Sequence, residues 1–437
     1  MHSSPDTRYS PPVTQPLRLA KPLRITEQSW PEGTKPLVSV FVWSFNDVKF
    51  IRESIESILM QETTFPLEIV IHDDASTDGT VDIIREYEAK HPQLFHNILH
   101  TENQYSQGVD LMSPLATSTR GEYLALSHGD DFWSDNSKLE IQISELINNR
   151  NASGCVHSYH QVTTDEAGET TRSVAQHFSR SLITTEDLLE GNPIATSSVV
   201  LRRNSVVSRL PESLDALPMG DWPRWILASM KGPILWVKKP MATYRLHGGG
   251  IWSTRKKSEQ QFHHLILVSQ FSDLLPDRLQ IRQAECLGIH TARLLLNNPD
   301  EKLVYQTIDK LRKIPPAQLR CFGRGLIRAH LDAFSKTTTN LSESQILNIV
   351  DIVKQNSARI EGSLSSPPVC NADLLKVKSV MLMRSGNFQV STGNISLARS
   401  FFLKAFLTWP FNVESFARLI KSYFQKKSSA HAYVPSK

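Results

Sequence analysis

Apolar and polar positions follow two different periods along this chain, and the switches between them predict its elements. Leu37-Val38-Ser39-Val40-Phe41-Val42-Trp43 is an almost unbroken apolar run, which predicts a buried strand ended by Ser44-Phe45-Asn46-Asp47. Between Val48 and Met60 the apolar residues Ile51, Ile55, Ile58 and Leu59 fall at helical spacing. A second strand, Leu67-Glu68-Ile69-Val70-Ile71, ends in His72-Asp73-Asp74, and Ser76 or Thr77 is placed to cap a helix through Val81, Ile83, Ile84 and Tyr87. A weak strand is expected near Phe95 to Leu99 and a helix over Gly108 to Thr119. The strand Tyr123-Leu124-Ala125-Leu126 then runs toward Gly129-Asp130-Asp131-Phe132-Trp133. Strand and helix thus alternate, which predicts an α/β fold with a mainly parallel sheet and flanking helices. Ligands of such sheets lie beyond the carboxyl ends of the strands. Ser44-Phe45-Asn46, Asp73-Asp74 and Asp130-Asp131 therefore belong to one rim.

From Cys155 to Leu201 the pattern changes to short strands, with a helix near Thr185 to Glu190 and a strand over Ile194 to Leu201 entering Arg202-Arg203. Pro218-Met219-Gly220-Asp221-Trp222-Pro223-Arg224-Trp225 opens a helix that continues through Ile226, Leu227 and Met230. A strand near Ile234 to Val237 leads to Tyr244-Arg245-Leu246-His247 and three glycines, Gly248 to Gly250, which predict a flexible loop able to close over a ligand. Beyond Ser258 the pattern is all-helical, leucine-rich around 262–275, 281–297, 302–312 and 320–334. The spacing of Gly386, Gly393, Ala398, Phe402, Ala405 and Pro410 resembles one tetratricopeptide repeat, and a generic helical hairpin fits it as well. The organisation expected is a disordered leader (1–35), an α/β domain (36–257), a helical region (258–354), a linker carrying Ser-Ser-Pro-Pro (355–372) and a second helical region (373–437).

Composition narrows the function classes. The 437 residues are 40% hydrophobic and 21% charged, enough apolar content for a large core. A formal charge of +4, with no Lys/Arg stripe carrying interleaved aromatics, argues against a nucleic-acid partner. Cys155, Cys286, Cys321 and Cys370 lie far apart, without the spacing of a disulfide frame or a zinc site. The first 35 residues lack the apolar core of a secretory signal, and no stretch approaches the roughly 20 apolar residues of a membrane helix. The expectation is a cytoplasmic protein whose membrane contact, if any, is peripheral.

Asp130 and Asp131 are the centre of the chemistry. Adjacent carboxylates raise one another's pKa unless something positive holds them ionised. A hard divalent cation, Mg²⁺ or Mn²⁺, suits such an oxygen pair and can carry a diphosphate. The plainer alternative is that Asp-Asp opens a turn before the next helix.

The first 255 residues resemble a family 2 glycosyltransferase with the GT-A fold. Five blocks carry the resemblance: Val38-Ser39-Val40 with Ser44-Phe45-Asn46; Ile71-His72-Asp73-Asp74-Ala75-Ser76-Thr77-Asp78-Gly79-Thr80; Gly121-Glu122-Tyr123; Gly129-Asp130-Asp131-Phe132-Trp133; and Met219-Gly220-Asp221-Trp222 with Tyr244-Arg245-Leu246-His247 and the glycines after it. The helical remainder is outside it. The resemblance implies a nucleotide-sugar donor (UDP- or dTDP-linked first), Mn²⁺ or Mg²⁺, and a single in-line displacement with inversion at the anomeric carbon. Asp131 would be the main metal ligand, Asp130 would contact ribose or metal, and His247 would complete the metal shell or touch the diphosphate. Ser44, Asn46, Asp73 and Asp74 would face the nucleoside; the alternative for the two aspartates is an Asx-turn and cap at the following helix. Asp221 would be the general base, and helix capping is compatible with that role. Trp222 and Arg245 would contact donor or acceptor, although Trp222 and Trp225 at this spacing also suit a core. His128 stands where the family's first acidic residue often lies, which leaves metal ligation to the later pair.

The leading expectation is therefore an inverting, metal-dependent glycosyltransferase acting on a hydroxyl of a surface polysaccharide, a lipid-linked glycan or a protein. The competing reading is a catalytically inactive GT-A-like protein acting as an interaction module through its helical region; retention of Asp131 and Asp221 opposes it. A nucleotidyltransferase is disfavoured because Ser44-Phe45-Asn46-Asp47 is not the Gly-rich, basic loop that triphosphate binding requires.

Overall fold

The computed structural model describes residues 17–164, 170–175, 180–215, 217–247 and 255–297, with the stretches 321–326 and 395–408 and scattered single positions beyond them. The glycines 248–250, Trp252, Ser253 and the expected linker 355–372 lie outside the described residues. The chain divides into two compact units, Met1–Leu188 with Asn192–Thr254, and Leu189–Gly191 with Arg255–Lys437.

The strands of the first unit are β1 (Leu23–Arg24), β2 (Val38–Ser44), β3 (Glu62–Thr63), β4 (Leu67–Asp73), β5 (Ile98–Leu99), β6 (Tyr123–His128), β7 (Phe132–Trp133), β8 (Gly154–Thr164), β9 (Thr170–Ala175), β10 (Leu182–Ile183), β11 (Val200–Arg202) and β12 (Ile234–Leu246). Its helices are α1 (Ile51–Leu59), α2 (Thr80–Lys90), α3 (Lys138–Asn148), α4 (Thr185–Glu190, whose end falls in the second unit), α5 (Glu212–Asp215) and α6 (Asp221–Lys231). The main sheet runs β10-β12-β8-β11-β6-β2-β4-β5, with β7 on β12 and β9 on β8.

Every residue of β2 and β4 is buried, as expected for strands covered on both faces, and this explains why both read as apolar runs and not as alternating patterns. β2 is parallel to β4 and to β6, and Trp43 stands opposite both His72 and His128. Their carboxyl ends therefore share one edge. β11 is inserted antiparallel between β6 and β8, and β12 lies parallel to β8. The register of β12 shifts between Val237 and Ala242, where Pro240 has no N–H for the ladder. β7 pairs antiparallel with β12, Phe132 opposite Thr243 and Trp133 opposite Ala242. That short pairing carries Asp130-Asp131 onto the segment 244–247.

Several local expectations are corrected. Residues 17–35, assigned to a disordered leader, are tied down: β1 pairs with β3, the Leu19 N–H donates to the Thr64 carbonyl at 2.7 Å, and Ile25 is buried. A two-residue strand and one buried isoleucine leave no period to detect in a polar stretch. The helix expected over 108–119 is instead a loop with one 3₁₀ turn, Ser113–Leu115, preceded by another at Tyr105–Gln107. The strand expected over 194–201 begins only at Val200, because Thr196–Ser198 form a 3₁₀ turn. The start of α2 is held by neither Ser76 nor Thr77: Asp78 accepts from the Thr80 N–H at 3.1 Å and the Thr80 hydroxyl at 2.5 Å.

In the second unit α7 (Lys257–Gln270) and α8 (Asp277–Leu296) pack together, and Gln283 donates to the Val268 carbonyl at 2.7 Å. Gly288 of α8 leaves no room for a side chain, since a Cβ there would stand 1.9 Å from the Phe322 carbonyl oxygen. In α9 (Ile395–Thr408), Ala398, Phe402 and Ala405 are buried at helical spacing, and the Ser379 hydroxyl donates to the Ala405 carbonyl at 2.8 Å. Gly386, Gly393 and Pro410 of the repeat-like pattern lie outside the described residues.

Candidate active site

Three loops leave the shared edge of β2, β4 and β6. The first two are stitched together by side chains of the Asp73–Thr80 block. The Asp73 carboxylate accepts from the Ser76 N–H (2.9 Å) and hydroxyl (2.6 Å). Ser76 Oγ in turn accepts from the Asn46 N–H at 2.8 Å, and Asn46 Oδ1 accepts from the Thr77 N–H at 2.9 Å. Asp78 takes the Val48 N–H at 3.0 Å. Asp74 is buried and accepts from the backbone N–H groups of Gln104 (2.6 Å) and Tyr105 (3.1 Å). Asp73 therefore makes the local Asx-type turn, whereas Asp74 fastens the distant loop at 104–105. Asn46 (φ 56°) and Ala75 (φ 64°) are the positive-φ non-glycine residues among the described ones, one on each loop. Left-handed backbone at a non-glycine residue concentrates where a loop is held for function.

The third loop is the Gly129–Asp130 turn. Gly129 N–H donates to the Trp43 carbonyl at 2.7 Å, and a Cβ on Gly129 would lie 2.3 Å from Asp47 Oδ2. The glycine is what lets the Asp47 carboxylate sit over this turn, where it accepts from the Ser44 hydroxyl (3.0 Å) and the Phe45 N–H (3.1 Å). Burial, and then the charge of Asp130, push Asp47 up to about 7.

Asp130 and Asp131 face different surroundings. Asp130 is partly exposed, and its Oδ2 stands 2.9 Å from His247 Nε2. Burial pushes Asp130 up, but the His247 bond and the charges of His128 and His247 outweigh it and hold its pKa low. The same bond raises His247. Asp131 is 1% exposed, and its Oδ1 accepts the Arg245 backbone N–H at 3.0 Å. Burial, with Asp130 next to it, raises Asp131 well above the carboxylate range. Asp131 is thus turned into the protein, where it anchors β12, and Asp130 is the carboxylate presented beside His247.

Arg245 packs against the same turn. Its guanidinium donates to the Asp130 carbonyl at 2.6 Å, pairs with Glu53, and lies over the rings of Phe132 (4.6 Å) and Phe50 (5.1 Å). It braces the turn. Trp222 is 2% exposed with its indole N–H on the Leu188 carbonyl at 2.8 Å, and Trp225 is fully buried, so both belong to the core and offer no stacking face.

Asp221 opens α6. Its Oδ1 accepts the Trp222 N–H at 2.7 Å and Asn192 Nδ2 approaches Oδ2 at 3.4 Å. Burial raises its pKa, opposed by the Trp222 N–H and the charge of His128. His128 acts on both Asp130 and Asp221, and the charges of Asp131, Asp130 and Asp221 all act, behind burial, to raise the Tyr244 hydroxyl. These groups form one electrostatic neighbourhood. Asp47, Glu53, Tyr159 and Tyr244 were missed in the sequence. Asp47 was visible as the last residue of the block after β2 and Tyr244 as the first of the block ending in His247, whereas Glu53 and Tyr159 carry no motif.

A divalent cation can be tested against this donor set. A carboxylate oxygen and an imidazole nitrogen 2.9 Å apart have the separation of adjacent ligands on one cation with bonds of about 2.1 Å. Among the described residues no group of three or more His, Cys, Asp or Glu side chains forms a metal cage. A divalent ion held by Asp130 and His247 would take its remaining ligands from water and substrate phosphates. This mixed oxygen and nitrogen pair fits Mn²⁺ better than Mg²⁺, which prefers oxygen donors.

Residues 39–210 match the family model described as Glycosyl transferase family 2. This segment is a family 2 glycosyltransferase domain. A Mycobacterium tuberculosis (strain H37Rv) protein described as uncharacterized is 35% identical over 227 residues, 52% of this chain and 63% of that one, so the chain spans less than two thirds of that relative. TuaG of Bacillus subtilis (strain 168), which carries the name of a teichuronic acid biosynthesis glycosyltransferase, is 28% identical over 229 residues, 52% of this chain and 86% of TuaG. Among solved structures, the mannosyltransferase PcManGT from Pyrobaculum calidifontis, solved with GDP-Man and Mn²⁺, aligns with a TM-score of 0.39 at 16% identity, covering 80% of this chain and 87% of that one. The fold expected from the glycosyltransferase domain, GT-A, agrees with the sheet described above. No helix among the described residues is long and apolar enough to cross a membrane.

Proposed function

We propose that the first unit transfers a sugar from a nucleoside diphosphate to a hydroxyl acceptor with inversion, and that it uses Mn²⁺ or Mg²⁺. The observation that carries this reading is the meeting of Asp130 and His247 at 2.9 Å beyond the carboxyl ends of β2, β4 and β6. Asp130 and His247 would hold the cation, which when bound neutralises negative charge on the departing diphosphate.

Asp221 is the general base in this reading. As the acceptor oxygen attacks the anomeric carbon, the bond from that carbon to the diphosphate oxygen breaks, and the acceptor proton passes to the Asp221 carboxylate. The Trp222 N–H orients that carboxylate, and burial makes it a stronger base than a solvated aspartate. Asp73, Asp74 and Asn46 shape the nucleoside side through the loops they fix, and Ser44 holds Asp47. UDP- and dTDP-sugars are the first donors to try, with a surface polysaccharide, a lipid-linked glycan or a protein as acceptor. The inactive-module alternative gains no support, since Asp130, Asp131 and Asp221 are all in place.

Asp221→Asn tests the reading. Transfer should fall 10²-fold or more while donor binding stays near wild type. Undiminished turnover in that variant would remove the base assignment.

A further inference from the structure

The segment between β5 and β6 has little regular structure, yet it is pinned at three places. Asp74 takes the Gln104 and Tyr105 N–H groups, the Trp43 indole N–H donates to the Leu111 carbonyl at 2.9 Å, and Asp110 pairs with Arg224. Long loops of this kind in compact domains are commonly functional. The third pin is unusual. Arg224 is 2% exposed, and its guanidinium donates to the carbonyls of Gly220 (2.7 Å), Val207 (2.9 Å) and Ser208 (3.3 Å) as well as to Asp110 Oδ2. Asp110 supplies the paired carboxylate for this buried cation, and its other oxygen accepts the Met112 N–H at 3.0 Å.

Gly220 directly precedes Asp221. The Asp221 carboxylate is oriented by the Trp222 N–H of its own first turn and by a 3.4 Å approach from Asn192, so its direction follows the first turn of α6. Arg224 holds that turn at the Gly220 carbonyl. We infer that Asp110 and Arg224 are a positioning pair for the base: the loop that holds Asp74 on the nucleoside side is fastened through them to the helix turn that aims Asp221. This rests on the glycosyl transfer reading above. A buried ion pair can also be purely structural, since removing one partner commonly destabilises a fold by leaving the other charge unpaired.

Asp110→Asn separates the two roles, because it keeps the side-chain shape and the Met112 bond while removing the charge. Arg224→Lys is the second variant, keeping the charge but losing the planar fork. Each is compared with the wild type for kcat, donor KM and Tm, alone and in the Asp221→Asn background. A misaimed base should lower kcat about 10-fold or more with donor KM within about two-fold. Because the pair acts through Asp221, neither variant should lower the residual rate of Asp221→Asn further. Wild-type kcat in Asp110→Asn beside a lowered Tm would overturn the inference, as would a loss that multiplies in the Asp221→Asn background. Should Asp110→Asn not fold, the Arg224→Lys results decide by the same criteria. Failure of the wild type to turn over any sugar nucleotide would instead count against the glycosyl transfer reading itself.

Discussion

The Asp130 carboxylate and the His247 imidazole meet at 2.9 Å although 117 positions separate them in the chain. The contact exists because β7 pairs with β12 immediately after the Gly129–Asp130 turn, and because Arg245 locks that turn to β12 from below. If this pair holds the cation, Asp130→Ala should abolish the Mn²⁺-dependent rise in Tm produced by UDP. His247→Ala should weaken Mn²⁺ binding about 10–100-fold. An unchanged Mn²⁺ plus UDP shift in Asp130→Ala would refute the assignment.

Asp131 is expected to behave in the opposite way. Its side chain is buried and satisfies the Arg245 N–H, so Asp131→Ala should cost about 1–3 kcal/mol of stability. Asp131→Asn keeps the acceptor and replaces a carboxyl whose raised pKa already disfavours the charge, so its Tm should stay near wild type. Thermal melting together with Mn²⁺ titration distinguishes the anchor from a ligand: Asp131→Asn that folds but no longer binds Mn²⁺ would restore Asp131 as the ligand.

Asp47 gives a pH signature. Its folded pKa is about 7 against 3.8, so the folded protein binds this proton more tightly than the unfolded chain. The sign follows: the contribution to stability is fully present below about pH 4, declines as pH rises to about 7, and stays lost above that. Asp47→Asn should therefore raise the Tm of the metal-free protein at pH 8 and leave it nearly unchanged at pH 4. A Tm difference independent of pH would contradict the burial of that charge.

Legibility in the sequence followed burial. β2, β4 and β6 were visible because strands covered on both faces are written almost wholly in apolar residues, and their common edge placed Ser44, Asp73 and Asp130 together. The segment 108–119 was misread as a helix because its apolar residues serve separate contacts, Leu115 buried in the protein while Val109 stays exposed. The contact of His247 with Asp130 and not with Asp131 was invisible for a different reason. Adjacent residues at a turn point in different directions, and only the pairing of β7 with β12 decides which one faces His247. Arg245 and Trp222 are polar-tipped side chains whose partners lie far away in sequence, so composition alone could not assign them to brace and core.

Ala75 adds a stability test on the same rim. An L-residue in left-handed backbone costs roughly 1–2 kcal/mol that glycine avoids. Ala75→Gly should raise Tm by about 2–4 °C per kcal/mol recovered. A fall in Tm would show that the loop does not hold this conformation in solution.

The most direct measurement is nucleoside diphosphate release from a panel of UDP-, dTDP- and GDP-sugars, with and without Mn²⁺ or Mg²⁺, by the wild type, Asp130→Ala and Asp221→Asn. The account predicts release by the wild type that requires the cation and an acceptor and falls at least 10²-fold in both variants. Release that proceeds equally in wild type and both variants, or that ignores the cation, would contradict it.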